Sequence, residues 1–324
     1  MTTWSEHTIW WQLHPISFTG AEPAALPAGA PAAHRLGRIE AWLDYLVELG
    51  CNGLALGPIF ASESHGYDTV DHFRIDPRLG SSADFDHLVR ACRERGIRLL
   101  LDGVFNHVGR GFPAFQDVLA RGAASSYASW FRLDFEAGGP DGFGYADFEG
   151  HRGLVALNHG EPAVQDYVAG VLGHWLERGA DGWRLDAAYA VPLAFWRTVT
   201  GRVRRDHPQA WFAGELIHGD YVAAIRQGGL DSVTQYELWK AIWSSLNDGN
   251  FLRAGLGAGP ARQLRGGVPA ADVRRQPRCH PAGQQAGGPA PLRPRPGDPA
   301  DRGGHAEHLR GRRAGLPRRQ VRAR

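Results

Sequence analysis

No apolar run in the 324 residues approaches the roughly 20 that a membrane-spanning helix needs, so a membrane partner is not expected. Cysteine is scarce: Cys51, Cys92 and Cys279 are too few and too scattered for a disulfide framework or a zinc site, and read as buried or incidental thiols. Lysine is nearly absent, since arginine fills 35 of the 36 basic positions and only Lys240 departs from this, which suggests GC-rich codons. Met1 to Trp10 carries no basic residue ahead of an apolar run, and Glu6 interrupts it. A secretory signal is therefore not expected, and the cytoplasm is the expected compartment.

A further lack divides the chain. Residues 252–324 contain no Phe, Tyr, Trp or Ile, but 16 Arg, 13 Gly and 10 Pro, for a net charge of +12. Residues 1–251 carry all 33 aromatics and a net charge of −10. A stretch so poor in apolar surface cannot offset the entropy of ordering its backbone, so 1–251 reads as folded and 252–324 as a disordered basic tail.

Within 1–251, strand-like and helix-like runs alternate. Strands are predicted at Thr8–Leu13, Gly53–Leu56, Ile97–Val104, Gly182–Leu185, Ala210–Ala213 and Ser232–Tyr236. Helices are predicted around Ile39, Trp42, Leu43, Leu46, Val47 and Leu49, and over Phe85–Arg95, Ala163–Glu177, Pro192–Val203, Tyr221–Gln227 and Leu238–Leu246. Residues 107–160 are too long for an ordinary connection and are expected to form an inserted subdomain. Six strand-helix units argue a parallel α/β protein, either a barrel or a doubly wound sheet.

Polar side chains gather at the C-terminal ends of these strands: Asp102, Asn106 and His107 after the third, Arg184 and Asp186 at the fourth, Glu215 after the fifth. A single Asp there is usually a helix cap, but three successive strands ending this way are harder to attribute to capping. Two carboxylates on adjacent strands suit double displacement at a glycosidic carbon. Asp186, with Arg184 two residues earlier, is expected to stay ionised and attack. Glu215, after the apolar Trp211, Phe212 and Ala213, is expected to hold the proton for the leaving oxygen. A retaining mechanism needs the carboxyls about 5 to 5.5 Å apart, and strands spaced about 4.8 Å can supply that.

Asp102-Gly-Val-Phe-Asn-His107, Gly182-Trp-Arg-Leu-Asp186 and Gly214-Glu215, in this order and spacing, resemble the first three catalytic segments of the α-amylase superfamily, glycoside hydrolase family 13. Trp11-Gln-Leu-His-Pro15 is similar to that family's first strand. Gly57-Pro-Ile-Phe60 followed by His65-Gly-Tyr-Asp68 is similar to its second strand and following loop, and Leu154 to Asn158 to a segment near the end of its inserted domain. The match covers roughly 8–251 and looks most like the neopullulanase and cyclomaltodextrinase branch. The resemblance implies a TIM-type (β/α)8 barrel, here incomplete, that cleaves α-glucosidic bonds of α-glucans or maltooligosaccharides with retention. It implies Asp186 as nucleophile, Glu215 as general acid/base, and Arg184 as the residue that positions Asp186. It further implies that His107 bonds a sugar hydroxyl, that Tyr67 stacks on the sugar, and that Asp68, Asp102 and Asn106 support the site. No cofactor is needed for this chemistry; Asn106 helps hold the inserted domain in some members through calcium, and a metal here is left open.

The family's fourth segment, an Asn-His-Asp ending the seventh strand, is absent, so the chain as written is expected to be weakly active or inactive, with a noncatalytic carbohydrate-binding protein as the rival reading. Gly255 to Gly259 follows no strand and is not expected to cradle a phosphate, and the Arg-rich tail lacks interleaved aromatics for specific nucleic-acid binding. The codons for Asp272 to Pro281, read one nucleotide later, permit Thr-Phe-Val-Gly-Asn-His-Asp-Val-Thr-Arg. Those from Leu252 permit Phe-Glu-Leu-Ala-Trp-Ala-Leu. A frameshift at codons 251 to 252 is the expected origin of the tail. Oligomeric state is not legible from the sequence.

Overall fold

Six short strands pair in chain order into one parallel sheet: β1 (Trp10–Leu13), β2 (Gly53–Leu56), β3 (Arg98–Gly103), β4 (Gly182–Leu185), β5 (Trp211–Gly214) and β6 (Ser232–Val233). They are seen in a computed structural model that describes residues 4–249. Parallel neighbours require crossover connections, and helices supply them: α1 (Leu36–Glu40) and α2 (Leu43–Glu48) after β1, α3 (Ser82–Glu94) after β2, α4 (Pro162–Glu177) after β3, α5 (Leu193–Asp206) after β4, and α6 (Tyr221–Gly228) after β5. Helix α7 (Tyr236–Asp248) follows β6. The described residues all fall in one compact unit, Met1–Cys279; the second unit, His280–Arg324, lies wholly outside them.

The sheet curls as a barrel does. Four strand spacings separate β1 from β5, about 19 Å if the sheet were flat. Yet Trp10 of β1 stacks on Trp211 of β5 with ring centroids 5.6 Å apart, and Trp4 lies edge-on to both. Of the two architectures the alternation allowed, the structure is therefore the incomplete barrel. Close approach of β4 and β5 depends on Gly182, where a Cβ would sit 2.2 Å from the Trp211 carbonyl oxygen.

Local signals explain the helix starts. Ser81 and Asp84 form a reciprocal capping box at α3, and the Glu161 side chain caps α4 ahead of Pro162. The apolar face of α4, Val164, Val168, Val171, Leu172 and Trp175, is wholly buried. The indole of Trp175 donates to the His72 carbonyl at 2.7 Å, which ties the helix to the segment before β3.

Three expectations need correction. The helix after β1 breaks at Ala41 and Trp42, and only Ile39, Leu43 and Leu46 of its apolar set are buried; Trp42, Val47 and Leu49 are exposed. The sixth strand stops at Val233, and Tyr236 opens α7 instead of ending β6. Between β2 and α3 an unforeseen hairpin pairs Phe60–Ser62 with Thr69–Ile75. Its alternation is masked by polar residues that the interior accepts because they are paired: buried Arg78 forms a fork with Asp76 and donates to Ser62 and to the Glu22 and Ser64 carbonyls.

Residues 107–160 hold an antiparallel sheet of His107–Gly109, His151–Ala156 and Asp147–Phe148, a helix at Pro113–Arg121, and a strand pair, Leu133–Asp134 with Gly144–Tyr145. Cys51 and Cys92 are in no disulfide, and Cys92 is buried. The readings of 252–324 as a disordered tail out of frame, of Gly255 to Gly259, of the missing fourth segment and of Cys279 lie outside the described residues.

Candidate active site

The register of the sheet assembles the site. Arg184 sits opposite Asp102 on β3 and Ala213 on β5, so its side chain emerges between two strands that each end in an acid. The backbone continues that pairing beyond the strands: Asp186 N donates to the Gly103 carbonyl and Glu215 N to the Leu185 carbonyl. One guanidinium thereby meets three carboxylates. Nη1 donates to both oxygens of Asp102 at 2.6 Å and to Asp186 Oδ1 at 3.1 Å, while Nη2 lies 2.7 Å from Glu215 Oε1.

Glu215 is held further. Tyr236, the first residue of α7, donates its hydroxyl to Oε1 at 2.9 Å, and the Ala187 backbone N–H donates to Oε2 at 3.0 Å. Ala187 adopts φ +45°, a left-handed conformation that costs a non-glycine residue of order 1 kcal/mol and that aims this N–H at Glu215.

The electrostatics reverse an expectation. Burial pushes Asp186 well above the usual carboxylate range, aided by Asp102 and Glu215, and Arg184 only partly offsets this. Burial likewise raises Asp102 to about 6 despite its paired guanidinium. For Glu215 burial acts upward too, but Arg184, the Ala187 N–H and Tyr236 outweigh it and leave the group below its ordinary range. The apolar run before Glu215 was expected to keep it protonated, and the donors around it do the opposite. Three acids around one cation favour a retained proton, and the raised pKa values of Asp102 and Asp186 make that pair its favoured place.

Tyr67 borders this cluster, its hydroxyl pKa raised by burial and by the neighbouring acids. Its ring lies parallel to His14, with centroids 6.0 Å apart. Beneath it, His107 has both ring nitrogens engaged: Nδ1 with the Asn106 amide nitrogen at 3.1 Å, Nε2 with the Tyr67 carbonyl at 3.1 Å. Burial lowers its pKa to about 4, so the imidazole is neutral, with the hydrogen on Nε2 given to Tyr67. A bond from His107 to a sugar hydroxyl therefore requires that contact to be released. Asp68 is buried with Oδ2 on Ser64 and Oδ1 without a hydrogen-bond partner, beside a cavity of about 430 Å³ lined by Glu63, His65 and His151 among others.

All eight residues singled out from the sequence thus come together, in two groups: Asp102, Arg184, Asp186 and Glu215 on one guanidinium, and Tyr67, Asp68, Asn106 and His107 on the adjoining loop and strand. Asn106 offers its amide to His107, and among the described residues no group of three or more His, Cys, Asp or Glu is arranged to hold a metal. Sequence reasoning missed Tyr236, the Ala187 N–H and His14. The first two act on Glu215 across 21 and 28 residues of chain, where no local pattern signals them.

The profile of the alpha-amylase catalytic domain matches residues 12–211. A cyclomaltodextrinase of Geobacillus thermopakistaniensis is 38% identical over 250 residues, covering 72% of this chain and 42% of that protein. Neopullulanase 2 of Thermoactinomyces vulgaris is 36% identical over 249 residues, with the same two shares. Among solved structures, the ligand-free cyclic α-maltosyl-(1→6)-maltose hydrolase of Arthrobacter globiformis aligns with a TM-score of 0.72 at 31% identity, covering 83% of this chain and 63% of that one. The chain spans about two fifths of the length of these curated relatives.

Proposed function

Because the chain belongs to the α-amylase family of glycoside hydrolases, we propose that its site is built to cleave α-glucosidic bonds of α-glucans or maltooligosaccharides by double displacement with retention. The observation that carries the reading is Arg184, which gathers Asp102, Asp186 and Glu215 at the ends of three adjacent parallel strands.

In the first step the Asp186 carboxylate attacks the anomeric carbon while Glu215 protonates the departing glycosidic oxygen, leaving a glycosyl ester on Asp186. In the second, Glu215 takes a proton from water as its oxygen attacks that carbon and Asp186 leaves. With Asp186 shifted upward and Glu215 downward, catalysis requires a bound sugar to move the proton toward Glu215. A hydroxyl donated to Asp186 or Asp102 favours their ionised forms, and a glycosidic oxygen inserted between Arg184 and Glu215 weakens the contact that keeps Glu215 ionised. Tyr67 offers a flat face to a sugar ring.

The names of the relatives agree with this substrate class, and one of them, from Bacillus subtilis, is an intracellular maltogenic amylase, in keeping with a cytoplasmic setting. Turnover by this chain is expected to be weak, since losing even one transition-state contact costs about 3 to 4 kcal/mol. The test therefore uses α-maltosyl fluoride, whose leaving group needs little help from the acid. NMR at early times should show fluoride release with α-maltose appearing before mutarotation. β-Maltose first would overturn the double displacement, and maltoheptaose binding with no fluoride release would favour the noncatalytic rival.

A further inference from the structure

The order of the strands sets which way a sugar chain runs through the site. Tyr67 stands on the loop after β2 and His107 just beyond β3, whereas Asp186 follows β4 and Glu215 follows β5. Glu215 serves the departing oxygen in the reading above, so the sugars that leave lie on the β5 side of Asp186, away from Tyr67.

That side of the cleft is bridged. The hydroxyl of Tyr189, three residues past Asp186, donates to Glu149 Oε1 at 2.8 Å. Tyr189 belongs to the loop after β4, and Glu149 to the turn between Asp147–Phe148 and His151–Ala156 of the inserted subdomain. Each end of the bond is anchored to a different wall. Tyr189 N donates to the Glu215 carbonyl at 3.2 Å, and the Tyr189 ring lies 6.1 Å from that of His218, three residues after Glu215. Phe148, next to Glu149, stacks on His107 with ring centroids 4.8 Å apart. The bond thus joins the His107 wall to the Glu215 wall across the end of β4, which carries Asp186.

Both partners are held for this contact. Glu149 adopts φ +53°, a left-handed conformation that a residue with a Cβ keeps only where its surroundings enforce it, and Gly150 N fixes the turn by donating to Asp147 Oδ1 at 2.9 Å. The Tyr189 hydroxyl is kept protonated, and therefore a donor, first by burial, then by the Glu149 carboxylate and by the charges of Glu215 and Asp186. Influence from those two acids sets the hydroxyl beside the reacting groups.

We propose that Tyr189 and Glu149 form a specificity-determining clasp over the leaving-group side of the cleft, which admits the end of a short maltooligosaccharide and disfavours the interior of a long glucan. The clasp rests on the α-glucan reading of the site. A chain end enters beneath the bond, whereas a chain that continues far on both sides of the reacting linkage has to thread it. Water replaces an exposed hydrogen bond at small cost, so the clasp sets a preference and not an absolute bar.

The test uses α-maltosyl fluoride, which carries no leaving sugar, as the reference substrate. Maltoheptaose and soluble long-chain amylose are compared as inhibitors of fluoride release at equal concentrations of chains. Inhibition needs binding alone, so the comparison does not depend on how fast either glucan is cleaved. Both should inhibit the parent about equally, since only ends enter. Tyr189→Phe and Glu149→Ala should each lower the inhibition constant of amylose relative to that of maltoheptaose by about threefold or more. The double variant should add nothing further, because the two side chains act as one contact. Amylose inhibiting the parent far better than maltoheptaose, an unchanged ratio in either variant, or additive effects in the double variant would overturn the clasp alone. Absence of fluoride release, or of inhibition by either sugar, would contradict the α-glucan reading and the clasp with it.

Discussion

Arg184 Nη2 and Glu215 Oε1 lie 2.7 Å apart, and this pair, more than the apolar residues before it, sets the charge of Glu215. Tyr236 adds a donor to the same oxygen. A hydrogen bond to a charged group contributes about 1.5 to 3 kcal/mol, so Tyr236→Phe should move the Glu215 pKa upward, toward its ordinary range. Carbon-13 NMR of glutamate-labelled protein, with Glu215→Gln as assignment, measures this; an unmoved titration would show that the tyrosine contact carries no weight.

His72 is fully buried, its ring between the Val104 carbonyl and the Tyr167 hydroxyl, and burial lowers its pKa to about 4 from 6.5. Between pH 6.5 and 4 the unfolded chain takes up a proton that the folded chain refuses. Stability from this group is therefore complete above pH 6.5 and is lost as pH falls to about 4, by about 3 kcal/mol in all. His72→Gln should flatten that part of the curve in urea unfolding followed against pH. An unchanged slope would place the acid sensitivity elsewhere.

Asp102 acts with the opposite sign. Its pKa rises from 3.8 to about 6, so the folded chain binds the proton more tightly, and stability falls as pH rises from about 4 to about 6. The change is on the order of 3 kcal/mol. Asp102→Asn should reduce this slope, the part carried by Asp186 remaining, even though it lowers stability overall, and the readout is the difference in slope between the two proteins. Parallel curves would contradict the account of a retained proton.

Gly53–Leu56 and Gly182–Leu185 were legible to the residue because each is a short run between clear turn signals, buried at nearly every position. The acids were legible because β3, β4 and β5 repeat one pattern, apolar run then carboxylate. What escaped were features made by distant partners. The hairpin at Phe60–Ser62 and Thr69–Ile75 carries buried His72 and leads into Asp76 and Arg78, and such residues look like loop until their partners are known. The exposure of Trp42, Val47 and Leu49 was hidden because the sequence marks a face as apolar without saying what covers it. The charge of Glu215 depends on Arg184, Ala187 and Tyr236 together, which no local pattern encodes.

That hairpin leads to a further expectation. Arg78 is wholly buried on Asp76, Ser62 and two carbonyls, and these contacts hold the loop that presents Tyr67 and Asp68. Arg78→Met leaves Asp76 buried without its cation, a loss of about 3 to 5 kcal/mol. Thermal unfolding should show it, and Asp76→Asn combined with Arg78→Met should recover part of it. A single variant as stable as the parent would mean that the fork is not needed.

The most direct measurement is covalent trapping. A 5-fluoro-α-glucosyl fluoride forms its glycosyl ester readily and loses it slowly, so even a slow site accumulates label. After digestion, mass spectrometry should find the added glycosyl group on the peptide carrying Asp186, absent in Asp186→Asn and retained in Glu215→Gln. Label on Glu215 or Asp102, or equal labelling in Asp186→Asn, would contradict the assignment of Asp186 as the residue that attacks the sugar.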